Sequence, residues 1–168
     1  MFLEDEQYLS RMLKHYERRG INAYLLLIAE SARSGKNEFY LYLEDFANEL
    51  KMSEDSSDTA KRRQVIKTLK KPTNKYELIT ATFTHGKDAW IELAQIPGGT
   101  FIVDSSIFDP DFLAKTSPAA KTVLLIGALL EAEGRLIEDF LQKDLCQRFS
   151  ISSEQFRKGL KELRSQSH

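Results

Sequence analysis

The sequence predicts an α+β fold that is mostly helical and is built from two related units. Residues 23–53 match residues 122–152 at a constant offset of 99 positions, without a gap. The match includes apolar positions and the glycines Gly35 and Gly134, which are expected to end corresponding helices. A β-hairpin pattern follows only the first copy. The two units are therefore expected to share a helical scaffold and to differ in their β structure.

Composition limits the class of protein. The chain has 168 residues, of which 42% are hydrophobic, and its net charge is −1, as in an ordinary globular protein. The longest apolar runs, Tyr24–Ala29 and Val123–Leu130, are far shorter than a membrane span. The N-terminus is acidic where a signal peptide would be basic, and Cys146 is the only cysteine. These features predict a cytoplasmic protein without a membrane segment or an internal disulfide.

Apolar spacing and turn residues predict the elements of the first unit. Helical periodicity predicts a helix over 3–19, ended by Gly20, with Arg18 and Arg19 in its last turn. A third helix is expected to be closed by Pro72. In order, the remaining elements are a helix over 22–34, a strand over Phe39–Tyr42, helices over Leu43–Lys51 and Thr59–Lys71, and a hairpin of Tyr76–Phe83 and Ala89–Ile96.

The second unit begins after Pro97-Gly98-Gly99, so the predicted domains are residues 1–97 and 98–168. Phe101–Val103 is expected to form a short strand that pairs with the stretch near Leu136. Ser117 is a capping residue before a proline, which favours a helix start. The predicted helices are Ala119–Glu133, one within Ile137–Phe149, and Glu154–Ser165.

The order helix, strand, helix, turn, helix, hairpin is that of a winged helix-turn-helix. Because the helical part occurs twice, the sequence predicts two fused winged helix-turn-helix units that form an internal pseudo-dimer. No second hairpin pattern follows the last predicted helix, so the second unit is expected to lack a C-terminal wing or to borrow one.

Basic residues are concentrated where a recognition helix is expected. The helix over Thr59–Lys71 carries Lys61, Arg62, Arg63, Lys67 and Lys70. Cations in the first turn of a helix are unfavourable to the helix dipole, and a nearby phosphate would offset that cost. The alternative is a solvated face of an amphipathic helix.

Two further groups are candidates for DNA contacts. The last helix carries Arg157, Lys158 and Lys161, and Ser153 and Gln155 at its start would either reach base edges or cap the helix. The hairpin turn carries His85 and Lys87 beside Gly86. This turn would lie along a DNA backbone or would be a plain exposed turn, in which Gly86 supplies a positive φ.

Other chemistry has little support in the sequence. The three histidines and Cys146 lack the spacing of metal ligands, and Cys146 is interpreted as a small buried helix residue. We found neither a glycine-rich phosphate loop nor a motif for nucleophilic catalysis, so we expect no cofactor, no metal and no enzymatic activity. Core packing is the favoured interpretation of the aromatic residues, against a role in binding single strands; they are Phe39, Tyr40, Tyr42, Phe46 and Trp90.

Both halves resemble known winged-helix domains. The second half resembles the N-terminal domain of replication initiators from plasmids of Gram-positive bacteria, through Phe101–Val103, Ile107–Phe108, Ser117–Lys121, Asp144–Ser152 and Leu160–Leu163. The first half is similar to the N-terminal domains of primosomal and phage replication proteins, through Tyr24–Leu26 and Phe46–Ser53. The tandem arrangement resembles small DNA-binding proteins encoded with conjugative transfer genes on such plasmids. The resemblance implies an accessory or regulatory role in plasmid transfer or replication.

The expected function is therefore sequence-specific binding of double-stranded DNA by a monomer that acts as an internal dimer. Its two recognition helices would contact half-sites about one helical turn apart, roughly 34 Å. The alternative is a docking module in a replication or transfer complex, in which the apolar face of helix 3–19 binds a partner protein.

Overall fold

A computed structural model describes residues 18–53, 55–74, 76–85, 87–94 and 105–166. It confirms an α+β fold that is mostly helical. The chain divides into two compact units. The sheet-containing unit comprises residues 19–94 and 108–114 of the described chain, and the helical unit comprises 18, 105–107 and 115–166. The predicted boundary between residues 97 and 98 lies outside the described residues and stays a prediction.

The sheet-containing unit combines helices with a three-stranded antiparallel sheet. In chain order its elements are α1 (Arg18–Ser34), β1 (Glu38–Tyr42), α2 (Leu43–Glu49), α3 (Asp58–Asn74), β2 (Ile79–Thr84), β3 (Asp88–Leu93) and α4 (Pro110–Lys115). The strand order is β1-β3-β2, so the hairpin strand β3 is central and β1 is at an edge. This arrangement is compatible with a winged-helix-like fold.

Alternating side chains explain how the sheet is fixed on the helices. Phe39, Ile79, Ala89 and Ile91 are buried on one face of the sheet, and α2 and α3 contact β1 and β2. The helices contribute side chains such as Leu43, Phe46, Val65 and Leu69 to the same core. Period-two alternation in the strands and helical spacing in α3 thus direct their apolar residues to one interior.

The helical unit is organised around two helices that pack closely. Its elements are a 3₁₀ turn (Ser105–Phe108), α5 (Pro118–Ala132), a 3₁₀ turn (Ile137–Asp139), α6 (Gln142–Arg148) and α7 (Ser153–Gln166). The predicted cap of α5 is confirmed, because Ser117 Oγ accepts from Ala120 N at 3.1 Å. A Cβ atom at Gly159 of α7 would lie 2.5 Å from the carbonyl oxygen of Ala119. Glycine is therefore required for α7 to approach α5 this closely.

Two predicted helix ends are wrong. Gly20 does not end a helix; it is buried inside α1, which begins at Arg18. Burial of the residues that follow it, Ile21 among them, outweighs the roughly 1 kcal/mol cost of a glycine inside a helix. Pro72 does not close α3, which continues to Asn74. Pro72 is buried, and its carbonyl accepts from Leu78 N at 2.9 Å, so the last turn is anchored despite the missing N–H.

Some predicted elements lie outside the described residues. These are the body of the helix over 3–19, the strand Phe101–Val103 and the glycine Gly86. The stretch near Leu136, the proposed partner of that strand, leads directly into the 3₁₀ turn at Ile137, and Leu136 N donates to Asp139 Oδ2 at 2.6 Å. Within the described ranges, no helix combines the length and apolarity needed to cross a membrane.

Candidate nucleic-acid interface

The two copies of the repeat have the same backbone geometry at the corner between their last two helices. Helices α2 and α6 begin and end 99 positions apart. After α2, Met52 N donates to the carbonyl of Ala47 at 3.1 Å, and after α6, Ile151 N donates to that of Cys146 at 3.1 Å. The residue before each donor has a φ of 50°. Equal lengths, bonds and left-handed residues indicate that the repeat preserves a helix-turn-helix corner.

Corresponding side chains in the two copies of the repeat are buried alike. Phe46 and Ala47 of α2 and Leu145 and Cys146 of α6 are all buried. Cys146 occupies the position of Ala47, as expected for a small buried residue. The helix ends that precede each corner also correspond, because Gly35 and Gly134 have φ values of 66° and 71°.

The copies diverge after the corner. Residues 50–57 separate α2 from α3, whereas residues 149–152 separate α6 from α7. Each turn ends on a capping serine: Ser57 Oγ accepts from Ala60 N at 3.3 Å, and Ser152 Oγ accepts from Gln155 N at 3.1 Å. The turns before the second helices therefore differ in length, although each of these helices starts with a capping serine.

Helix α3 presents a basic stripe to solvent. Arg63, Lys67 and Lys70 are exposed and lie at i, i+4 and i+7, opposite the buried Val65 and Leu69. No ion pair joins these three cations to another residue in the part of the chain that the structure describes.

The other two predicted contacts on α3 are placed differently. Lys61 and Arg62 are half-buried. Arg62 Nη1 lies 3.4 Å from Glu44 Oε2 on α2, and its Nη2 donates to Thr59 Oγ1 at 3.4 Å. Arg62 therefore links the two helices of the corner. The sequence predicts that a DNA phosphate balances the positive charge of Arg62. In the structure, the carboxylate of Glu44 balances it instead.

Helix α7 carries fewer positively charged side chains than α3. Arg157 and Lys161 are exposed, and Arg164 extends the same line at i+7. Lys158 Nζ lies 2.7 Å from Glu154 Oε1, and this hydrogen bond lowers the pKa of the Glu154 carboxyl. The pairing neutralises part of the positive charge at the start of α7.

The structure shows whether Ser153 and Gln155, at the start of α7, cap the helix. Gln155 Oε1 accepts from Ser152 N at 3.4 Å and from Ser152 Oγ at 3.1 Å, while Gln155 N donates back to Ser152 Oγ. This is a capping box in which Ser152, and not Ser153, is the cap. The spacing Ser-x-x-Gln was visible in the sequence. Ser153 is exposed, and its carbonyl accepts from Gln142 Nε2 at 3.1 Å.

The hairpin turn is exposed and tied to the corner. His85 and Lys87 are exposed, and His85 itself has a φ of 49°. Lys87 N donates to the carbonyl of Thr84 at 3.2 Å, and the carbonyl of Lys87 accepts from Leu43 N at 3.1 Å. The last bond fixes the turn against the start of α2, within the same unit as the basic stripe.

The prediction that all five listed aromatic residues pack in the core is wrong for Tyr40 and Tyr42. Their exposed fractions are 67% and 65%, whereas Phe39 and Phe46 are buried. Alternation along β1 places the two tyrosines on the face of the sheet away from the helices. Trp90 is half-buried on the same face and forms an edge-to-face pair with Tyr40.

A buried lysine lies on α5 in the helical unit. Lys121 of α5 is only 2% exposed. Its pKa is lowered to about 7; burial is the largest cause and the charge of Arg18 adds to it, while Glu162 opposes the shift. Glu162 Oε1 also accepts from Ser117 N at 2.8 Å, so this carboxylate of α7 is held at the start of α5.

Metal binding gains no support within the described ranges, where no group of three or more potential ligand side chains is found. Comparison with protein-family models, curated proteins and solved structures finds no match to this chain.

Proposed function

We propose that this chain is a sequence-specific double-stranded DNA-binding protein made of two fused winged helix-turn-helix units. The observation that carries the proposal is the basic stripe of Arg63, Lys67 and Lys70, exposed on the helix that follows a helix-turn-helix corner. In such proteins this helix enters the major groove, and cations beside it neutralise backbone phosphates.

The hairpin strengthens the proposal for the first unit. His85 and Lys87 lie at the exposed turn of a wing whose backbone is bonded to the start of α2. A wing in this position would contact the DNA backbone beside the groove that α3 occupies. Helix and wing together give the sheet-containing unit two separate contacts with one duplex.

The repeated corner supports a second, weaker contact through α7. Arg157 and Lys161 are exposed there, but Lys158 is paired with Glu154 and Gln155 belongs to the capping box. We therefore assign the larger share of affinity to α3. Linking two binding helices in one chain raises the effective concentration of the second, so avidity arises without self-association.

The biological role follows from the resemblance of the two halves to winged-helix domains of plasmid replication and transfer proteins. A regulatory or accessory factor needs a defined DNA site and no catalytic residue of its own. We propose that role in plasmid transfer or replication.

Selection of bound sequences from a random duplex pool tests the proposal directly. The expected result is an enriched site with two unequal half-sites at a fixed spacing. Failure to bind any duplex near physiological salt would refute it.

A matched set of variants then tests the assignment to α3. Arg63→Gln, Lys67→Gln and Lys70→Gln are each expected to weaken binding to the selected duplex several-fold. Lys36→Gln removes one exposed lysine that precedes β1 and is the control, expected to bind like the wild type. If all four variants bound the selected duplex as tightly as the wild type, α3 would not contact the DNA.

A further inference from the structure

Among the helices of its unit that the structure describes, none covers the outer face of the sheet. Strand pairing arranges its side chains in three rows across β1, β3 and β2. We call this surface the open sheet face; its rows are Glu38–Glu92–Thr80, Tyr40–Trp90–Thr82 and Tyr42–Asp88–Thr84. An aromatic row is thus flanked on both sides by rows that contain carboxylates.

The aromatic row forms a corner that is open to solvent. The ring centroids of Tyr40 and Trp90 are 4.7 Å apart, and the ring planes meet at 73°. Beside them lies an open groove of about 790 Å³, which Trp90, Thr80, the two acids Glu38 and Glu92, and Lys36 help to line. Large aromatic side chains exposed together on a sheet are typical of a binding surface, because a monomer gains no stability by leaving them in water.

The charge of the open sheet face selects the chemistry of its partner. The three strands carry the acids Glu38, Asp88 and Glu92 and contain no lysine or arginine. Lys36, before β1, lines the groove beside the two glutamates, which leaves the groove with one net negative charge, and Lys87 lies in the turn before β3. A phosphate backbone would be repelled by this face, whereas a cation would be attracted.

The two glutamates add a specific reason for a cation. Glu38 and Glu92 are directly opposite in the register, and like charges in that position destabilise a sheet. Neither forms an ion pair with a residue of the described chain. A cation bound between them would relieve the repulsion while stacking on Trp90. Arginine suits both tasks, because its planar guanidinium stacks on an indole and bonds carboxylates in pairs.

We propose that the open sheet face is a docking surface for an arginine-bearing segment of a partner protein. A guanidinium would lie on the Tyr40–Trp90 corner, with Glu38 and Glu92 as its counter-charges. The helix α3 packs on the opposite side of the same sheet, so DNA on the basic stripe would leave the open sheet face accessible. The inference does not depend on DNA binding.

Trp90 is the only tryptophan of the chain, so its fluorescence reports on this surface. The full chain is titrated with a short synthetic peptide of alternating arginine and glycine. The control peptide carries citrulline, a neutral analogue, in place of each arginine. The expected result is a saturable fluorescence change with the arginine peptide only, weakened by added salt.

Variants separate the aromatic and the acidic parts of the surface. Tyr40→Ala, Glu38→Gln and Glu92→Gln are each expected to weaken peptide binding about two- to five-fold, the range for exposed cation–π and ion pairs. Circular dichroism checks that each variant is folded. Lys67→Gln on α3 is the control and should bind the peptide normally.

Three results would overturn the proposal. One is equal binding of the arginine and citrulline peptides. Another is a flat titration with both peptides. The third is a fluorescence change with single-stranded oligothymidylate and none with the arginine peptide, which would assign the surface to nucleic acid.

Discussion

Replacing Lys121 by methionine is expected to stabilise the protein strongly near neutral pH and weakly at high pH. Lys121 is 2% exposed, and its pKa is lowered from 10.5 to about 7. Burial is the largest cause, since it penalises the charged form. Methionine retains the unbranched shape of lysine and carries no charge to desolvate.

The shift in pKa sets the size and the sign of the effect. Below pH 7 both folded and unfolded chains bind the proton, so the full penalty applies. Between pH 7 and 10.5 the unfolded chain binds more protons, so the stability of the wild type rises with pH. Each pKa unit corresponds to about 1.36 kcal/mol. The shift from 10.5 to about 7 therefore means that the charged Lys121 lowers the free energy of unfolding by about 5 kcal/mol. Roughly 2 kcal/mol of this loss is recovered as the pH rises from 7 to 9, because folded Lys121 becomes neutral.

Urea unfolding followed by circular dichroism, at a series of pH values, measures this difference. The advantage of Lys121→Met over the wild type should be largest near pH 7 and should shrink towards pH 10. Lys143→Met, at an exposed position of α6, is the control and should show no such trend. A constant difference between Lys121→Met and wild type across this range would refute the argument from burial.

The remaining predictions concern α7 and its packing. Gly159→Ala should destabilise the helical unit by about 1–3 kcal/mol, because the new Cβ would lie 2.5 Å from the carbonyl oxygen of Ala119; an unchanged urea midpoint would contradict the close packing. Ser152→Ala should cost about 1 kcal/mol through loss of the cap on α7, measured in the same assay, and a neutral effect would show that the capping box is dispensable. Gln155→Glu should keep the capping box and the urea midpoint, because glutamate also accepts the capping hydrogen bonds. It should weaken binding to the selected duplex, because it adds a negative charge where α7 is proposed to approach DNA. An unchanged affinity in a gel shift would show that α7 is not part of the interface.

The helix-turn-helix corners were predictable because they depend on local patterns. Apolar spacing located α2 and α6, and the offset of 99 positions indicated that their surroundings match. The structure bears this out in detail that the sequence could only suggest, including the positive φ at Lys51 and Ser150. Local signals worked here because each corner is stabilised by residues close together in the chain.

The errors occurred where tertiary packing decides. Gly20 and Pro72 are breakers by local rules, but both are buried inside helices whose packing outweighs the local cost. The burial of Lys121 could not be predicted, because it depends on tertiary packing around α5 and not on a local pattern. The open sheet face was accessible to sequence reasoning: Glu38–Tyr42 alternates, so Tyr40 and Tyr42 must share the face opposite Phe39.

In the candidate site, too, local sequence patterns predicted some features and tertiary packing determined others. Helical spacing from the sequence places Arg63, Lys67 and Lys70 on one stripe, and the structure shows all three exposed. The sequence grouped Arg62 with them on charge alone. The contact between Arg62 and Glu44 depends on the angle between α2 and α3, which no local pattern encodes.

The central claim, that α3 holds DNA through phosphate contacts, is tested most directly by the salt dependence of affinity for the selected duplex. The logarithm of the binding constant is measured against the logarithm of salt concentration for wild type, Lys67→Gln/Lys70→Gln and the control Lys36→Gln. Each lost phosphate contact lowers the slope by about 0.9, so the double variant should be shallower than wild type by about 2, and Lys36→Gln should have the wild-type slope. Identical slopes for wild type and the double variant would contradict the account.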